Sequence, residues 1–352
     1  MKNLNLVLLV LATVLLSGRV IEAQTSPTRV GTTVADFLEL GFDPKGIAMG
    51  DASVSTVNDL SAIYWNPAGL AFMARNEVFF AYQPWIVDTK AYMVAGGFVT
   101  PSYGTFAASA MGLNYGEMEV TTVDLQEGTG EVFSPADLAV NISYGRRVAN
   151  WFGFGATVKY ISSSIHHSNA QSVAADLGVI INTGFLAPTG SNADGLKIGM
   201  SISNYGTRMR YRGLDLLRSY DESPDEAGNY KDVRVEYVTE SWELPLIFRI
   251  GLSMNPIIST MHRLTIAVDA LHPNNNSESV NIGATYAFTL PGAAKFFLRG
   301  GYRSIFLEKS EFGPTFGAGL LLPQRNIQFD YAYRDIGVLG FANVVGLSIL
   351  LN

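Results

Sequence analysis

The chain of 352 residues contains no cysteine. Disulfides, thiolate nucleophiles, thiolate-bound metals and acylation of a lipoprotein cysteine are thereby excluded. Histidine is scarce, with four residues, and charged side chains make up only 16% of the chain against 48% hydrophobic. Basic residues are outnumbered 24 to 31 by acidic ones, a net charge of −7, which argues against nucleic acid as a partner. Past the N-terminus no apolar run reaches the roughly 18 residues that a membrane-spanning helix needs. The hydrophobic residues are therefore plentiful but not gathered into helical spans.

The exception is the beginning. Lys2 precedes an apolar stretch at residues 6–16, and Ile21-Glu22-Ala23 offers a cleavage site before Gln24. This is the pattern of a secretory signal peptide over residues 1–23, with an apolar core too short for a membrane anchor. Its removal takes away Lys2, Arg19 and Glu22, leaving 22 basic and 30 acidic residues and a net charge of −8. Export is the expectation.

What fills the rest of the chain is alternation with a period of two. In Leu138-Ala-Val140-Asn-Ile142-Ser-Tyr144-Gly-Arg146 the even positions are mostly large and apolar while the odd ones are small or polar. The pattern recurs in Phe152-Gly-Phe154-Gly-Ala156-Thr-Val158-Lys-Tyr160, in Val280-Asn-Ile282-Gly-Ala284-Thr-Tyr286 and in Ile327-Gln-Phe329-Asp-Tyr331-Ala-Tyr333-Arg334. Such segments are two-faced strands. In a soluble sandwich the second face would be charged and exposed. Here it is mostly Gly, Ala, Ser, Thr and Asn with scattered ionisable residues, which suits the lumen of a transmembrane barrel. Counting from 76–86 to 340–351, with one segment read at 243–254, gives about 14 antiparallel strands, an even number as bacterial barrels require. With both chain ends placed on the periplasmic side, the two long connections, 116–134 and 206–242, fall together outside the cell. Aromatics near strand ends, among them Tyr103, Trp151, Tyr205, Trp242, Phe306 and Phe341, supply interfacial girdles.

Residues 24–74 do not alternate. Thr33-Val-Ala-Asp-Phe-Leu-Glu-Leu40 predicts a short helix, and residues 58–64 predict another turn capped by Asn58. Trp65-Asn66-Pro67-Ala68-Gly69 predicts a tight turn: Asn66 bonds backbone two residues on, Pro67 presets φ, and Gly69 tolerates unusual conformations. Such a piece can fill the barrel as a plug. The domain plan is a signal peptide at 1–23, a plug or hatch at 24–74, and an all-β membrane barrel at 75–352.

Three stretches of this region carry a family resemblance. Phe37-Leu-Glu-Leu-Gly41, Gly46-Ile-Ala-Met-Gly50-Asp-Ala52 and Ala62-Ile-Tyr-Trp65-Asn66-Pro67-Ala68-Gly69-Leu70 resemble the N-terminal signature of the PorV/PorQ family, itself similar to FadL-like outer-membrane barrels. The resemblance implies a 14-stranded barrel with an N-terminal hatch, the Asn-Pro-Ala element being part of that hatch. It also implies a location in the bacterial outer membrane, in contact with lipid. As function it implies binding of cargo C-terminal signal domains, or of the translocon, in type IX secretion. The alternative is FadL-like transport of hydrophobic small molecules.

Enzyme chemistry finds no support, and no catalytic residue, cofactor or metal site is expected. The pair His166-His167 sits in a predicted outer loop with no carboxylate nearby in sequence to complete a metal site. Gly153-Phe-Gly155 and Gly317-Ala-Gly319 lie inside strands instead of opening helices, so they are small lumen-facing residues and not dinucleotide motifs. Lys159, Lys197, Arg249, Arg299, Arg303 and Arg334 share the inward parity with Asp269 and Asp330. They are expected to pair across the lumen or with plug residues such as Asp36, Glu39 and Asp51; a small-anion pore is the other reading. The acidic run Asp221-Glu-Ser-Pro-Asp-Glu226 reads as a solvated loop tip. The apolar and aromatic residues of the long loops, Leu125, Phe133, Tyr211, Leu214, Leu217 and Tyr220, are candidates for a partner surface.

Overall fold

The computed structural model describes residues 29–221, 225, 233–307 and 310–351. The expected leader at 1–23 and part of the acidic run, Glu222, Ser223, Pro224 and Glu226, lie outside the described residues.

Fourteen strands form the wall. The first seven are β1 (Asn76–Pro84), β2 (Lys90–Thr100), β3 (Gly104–Asn114), β4 (Ala136–Ala149), β5 (Phe152–Ile165), β6 (Ser168–Asn182) and β7 (Lys197–Gly206). The second seven are β8 (Ile247–Ile258), β9 (His262–Pro273), β10 (Ser279–Leu290), β11 (Ala294–Ile305), β12 (Pro314–Leu322), β13 (Ile327–Asp335) and β14 (Phe341–Leu351). Each pairs antiparallel with its neighbours in sequence, and β1 closes on β14 from Asn76↔Leu351 to Tyr82↔Val345. Closure removes the sheet edges, whose unpaired N–H and C=O groups hydrocarbon cannot satisfy.

The alternation puts each side chain where its chemistry belongs. On β4, Leu138, Val140 and Ile142 are exposed on the outside, while Ala139, Asn141 and Ser143 between them are buried. Tyr103 and Trp151 are exposed at one end of the barrel, and Tyr205, Trp242, Phe306 and Phe341 at the other. The long connections 115–135 and 207–246 share the second end. The turns at the first end are short, except 183–196, which is tied down by Arg263 to Asp194 at 3.0 Å.

One strand is displaced from its expected place: β8 runs over Ile247–Ile258, not 243–254. Alternation continues back to Trp242, but Pro245 has no N–H to give a ladder. At the far end a register shift between Met254 and Ile257, around Pro256, lets pairing continue.

The segment before β1 runs inside the ring. It contains a 3₁₀ turn (Asp36–Glu39), helix α1 (Pro44–Ala48), helix α2 (Ala62–Trp65) and a second 3₁₀ stretch (Pro67–Phe72). Strands on all sides touch it through inward-facing groups. Its start corrects the expected placement of both chain ends on the short-turn side. Val34 N–H donates to Glu243 O at 3.0 Å and Asn275 Nδ2 donates to Thr33 Oγ1 at 3.0 Å, both at the long-loop end. The strand count fixes where β1 and β14 meet the membrane, but not the end from which the preceding segment enters. A second correction concerns the cap of α2. Its N-cap is Ser61, not Asn58, and Asp59 Oδ1 accepts from the Ser61 N–H at 3.0 Å.

Candidate functional site

Asn66 is wholly buried and lies against the wall at Gly178 and Val179 of β6. It caps the Pro67–Phe72 turn, with Oδ1 accepting from Ala68 N–H at 3.1 Å, and Pro67 follows where its missing N–H costs nothing. Its Nδ2 donates to Val54 O at 2.9 Å and to Val179 O of β6 at 3.1 Å. One amide thus joins two parts of the inner segment to the wall. Trp65 is buried edge-on against Tyr64, with ring centroids 4.7 Å apart, and its carbonyl accepts from Ser201 Oγ of β7 at 3.2 Å. Pro67, Ala68 and Gly69 complete the buried turn. The wall makes room for it at Gly155 and Gly178, where a Cβ would collide with the Pro67 carbonyl and with Asn66 Oδ1. The lumen-facing glycine expected at Gly155 is therefore a point of close approach.

Some of the charged lumen residues join wall strands to one another, and others join the wall to the inner segment. Lys159 binds Asp176 at 2.7 Å and Asn204 at 2.7 Å. Arg299 binds Asp330 at 2.7 Å, and Arg303 reaches Asp51 of the inner segment at 3.1 Å. Arg334 donates to Leu40 O at 2.8 Å, while Asp269 accepts from Val54 N–H at 2.8 Å. Arg249 donates to Ser203 Oγ at 2.9 Å and lies 5.9 Å from the Tyr64 ring. Asp36 instead accepts from Thr33, and Glu39 from Asn275. Lys197 is half-buried and faces a cavity of about 550 Å³ between α1 and the wall, which Lys45, Arg263, Lys295 and Arg299 also line.

Within the inner segment, Asp43 caps α1 through Lys45 N–H and Gly46 N–H. Burial pushes its carboxyl up to about 6, against the pull of Lys45. Burial works against the charge on Lys45 too, but Asp59 and Asp43 outweigh it and hold the ammonium protonated. The Lys45 Nζ to Asp59 distance is 2.6 Å. Asp59 is held below the usual carboxylate range because Lys45 and Ser61 overcome its burial.

The loop residues divide into two groups. Leu125, Leu214 and Tyr220 are exposed. Leu217, Phe133 and Tyr211 are half-buried. Tyr211 meets Ser163 Oγ at 2.6 Å and packs on the main hydrophobic cluster, so this part of the loop folds over the mouth. Beside it lies a recess of about 420 Å³ lined mainly by Tyr115, Met118, Phe133, Pro135, Ile165 and Tyr211, with Asp36, Asp137, Ser163 and Ser164 as its polar part. Burial and the hydrogen bond to Asp137, 2.6 Å away, push the Tyr115 hydroxyl up, so it stays neutral.

The fold brings to the histidine pair a carboxylate that is not near it in sequence. Glu131, from the 115–135 connection, comes to His166 and His167 with potential ligand atoms within 4.8 Å of one another. The spacing of 35 residues gave no local signal, and only the folding of one loop over the next turn creates the group. His262 and His272 are elsewhere, bonded to Tyr286 and Glu278.

Residues 23–215 match the family model described as type IX secretion system protein PorV. No curated protein matches the sequence. Among solved structures, the Pseudomonas putida toluene transporter TodX superposes with a TM-score of 0.56 at 11% identity, covering 89% of this chain and 99% of that one. The CymD monoaromatic hydrocarbon channel gives 0.51 at 9% identity, covering 88% and 96%. A Pseudomonas aeruginosa FadL homologue gives 0.46 at 12% identity, covering 88% and 98%. The likeness to the first two is one of fold.

Proposed function

Because the chain belongs to the family of type IX secretion system protein PorV, we propose that it is an outer-membrane barrel whose long loops bind cargo C-terminal signal domains or the translocon. Family and fold are those of secretion and transport barrels and not of enzymes. The observation that carries the reading is the contrast between lumen and loops. The lumen is packed by the Trp65-to-Gly69 turn and fastened by buried ion pairs, an arrangement suited to closure. The long loops meanwhile present Leu125, Leu214 and Tyr220 to solvent. Exposed apolar residues grouped on loops above a rigid scaffold mark partner surfaces.

A second reading rests on the recess beside Tyr211. Its volume suits one small hydrophobic molecule, and the channels of like fold are named for toluene and monoaromatic hydrocarbons. One experiment separates the two. Leu125→Asp, Leu214→Asp and Tyr220→Asp together keep the barrel assembled and abolish co-purification of cargo or translocon from native membranes in mild detergent. Partners retained at wild-type level, with uptake of a hydrophobic tracer reduced by Tyr211→Ala, would replace secretion by transport.

A further inference from the structure

Glu131, His166 and His167 form a second centre, outside the lumen and not used by the proposed docking. His166 and His167 make the entire β5–β6 turn, and His166 adopts φ 52. The two imidazoles lie side by side, with ring centroids 3.7 Å apart. Glu131 and His167 are exposed, His166 is half-buried, and the Phe133 ring covers His166 at 5.1 Å. Asp215 comes from the other long loop. Its Oδ2 accepts from His167 N–H at 2.9 Å and from Ser168 Oγ at 3.3 Å, while its Oδ1 lies 3.2 Å from His167 Nδ1.

Chemistry follows from this arrangement. Two imidazoles and one carboxylate are the donor set of zinc and other late first-row divalent ions, not of calcium or magnesium, which prefer oxygen ligands throughout. A ligating histidine commonly donates its other ring N–H to a carboxylate, which fixes tautomer and ring orientation. Asp215 stands where such a carboxylate is needed, and with Nδ1–H donating to it, His167 Nε2 carries the lone pair. From these observations we propose that Glu131, His166 and His167 bind a zinc-like divalent cation, with Asp215 orienting His167.

Three protein ligands leave a coordination position for water or for a donor from a partner. The ion would join the 115–135 connection to the β5–β6 turn and, through Asp215, to the 207–246 connection. These elements also border the recess at Met118, Phe133, Ile165 and Tyr211. Metal binding therefore rigidifies the cover of the recess.

The proposal is tested by calorimetric titration of the full-length barrel in detergent with zinc chloride, run beside magnesium chloride. Zinc binds at a single site and magnesium does not. Asp215→Asn weakens zinc by ~10-fold or more, and Glu131→Gln or the pair His166→Ala with His167→Ala removes the site while the heat-modifiable gel shift persists. Zinc also slows cleavage after Glu127 by a glutamate-specific protease in the wild type and not in Glu131→Gln. Absence of zinc binding in the wild type, or binding undiminished by Glu131→Gln or by the histidine pair, overturns the proposal.

Discussion

Asn66→Ala isolates what one buried amide does for the filled lumen. The substitution removes the side-chain cap on Ala68 N–H and the bonds to Val54 O and Val179 O. Loss of an N-cap costs ~1 kcal/mol, and each buried hydrogen bond to a carbonyl is worth about 1 kcal/mol net. The sum is about 3 kcal/mol, charged to local opening of the inner segment and not to the wall, whose ladders do not use this side chain. An opening equilibrium shifted by that amount becomes roughly 100-fold more populated. Limited proteolysis of the folded barrel in detergent should then cut within residues 24–74 faster by about that factor when cleavage is slower than reclosing. Conductance in planar bilayers should rise through transient unplugging. Adding Pro67→Ala should increase the effect, because the turn loses its preset φ. The barrel itself should keep its heat-modifiable gel shift. Cleavage and conductance both within about threefold of wild type would refute the reasoning and leave Asn66 as one polar contact among many.

Two further outcomes follow from the buried charges. Arg299→Met should lower resistance to denaturant-induced unfolding by about 3 kcal/mol, because it leaves the Asp330 carboxylate without its guanidinium, while Arg299→Met with Asp330→Leu should recover most of the loss; a loss in the double variant equal to the sum of the losses in Arg299→Met and Asp330→Leu alone would show that no coupling exists. Asp43, raised from 3.8 to about 6 in the folded protein, takes up a proton more readily folded than unfolded, so stability of the inner segment should rise as pH falls from about 6 to about 4. Proteolysis of that segment should slow across this window, and Asp43→Asn should flatten the change; acceleration instead would contradict the sign.

The wall was legible because its signal is local. Alternation such as Leu138-Ala-Val140-Asn-Ile142 is set by pleat geometry within each strand and by the two solvents it separates, so strand number and inward parity followed without any knowledge of partners. The Asn66-Pro67 turn was legible for the same reason, since capping and φ preference act over three residues. Proline was where this reading slipped: at Pro245 the side-chain pattern continued but the ladder did not.

Tertiary structure decided the rest. Which end of the barrel receives the inner segment depends on Val34 meeting Glu243, and which wall group Asn66 reaches depends on Val179, 113 residues away. The division of the loop residues, with Tyr211 folded onto Ser163 and Leu214 left in solvent, depends on how a long connection settles over the mouth. Glu131 meets His166 and His167 only because two connections share that mouth. A repeating pattern along one strand reports which medium each side chain faces. It carries no information about which distant group will stand opposite, because that is fixed by ring closure, register and the path of the loops.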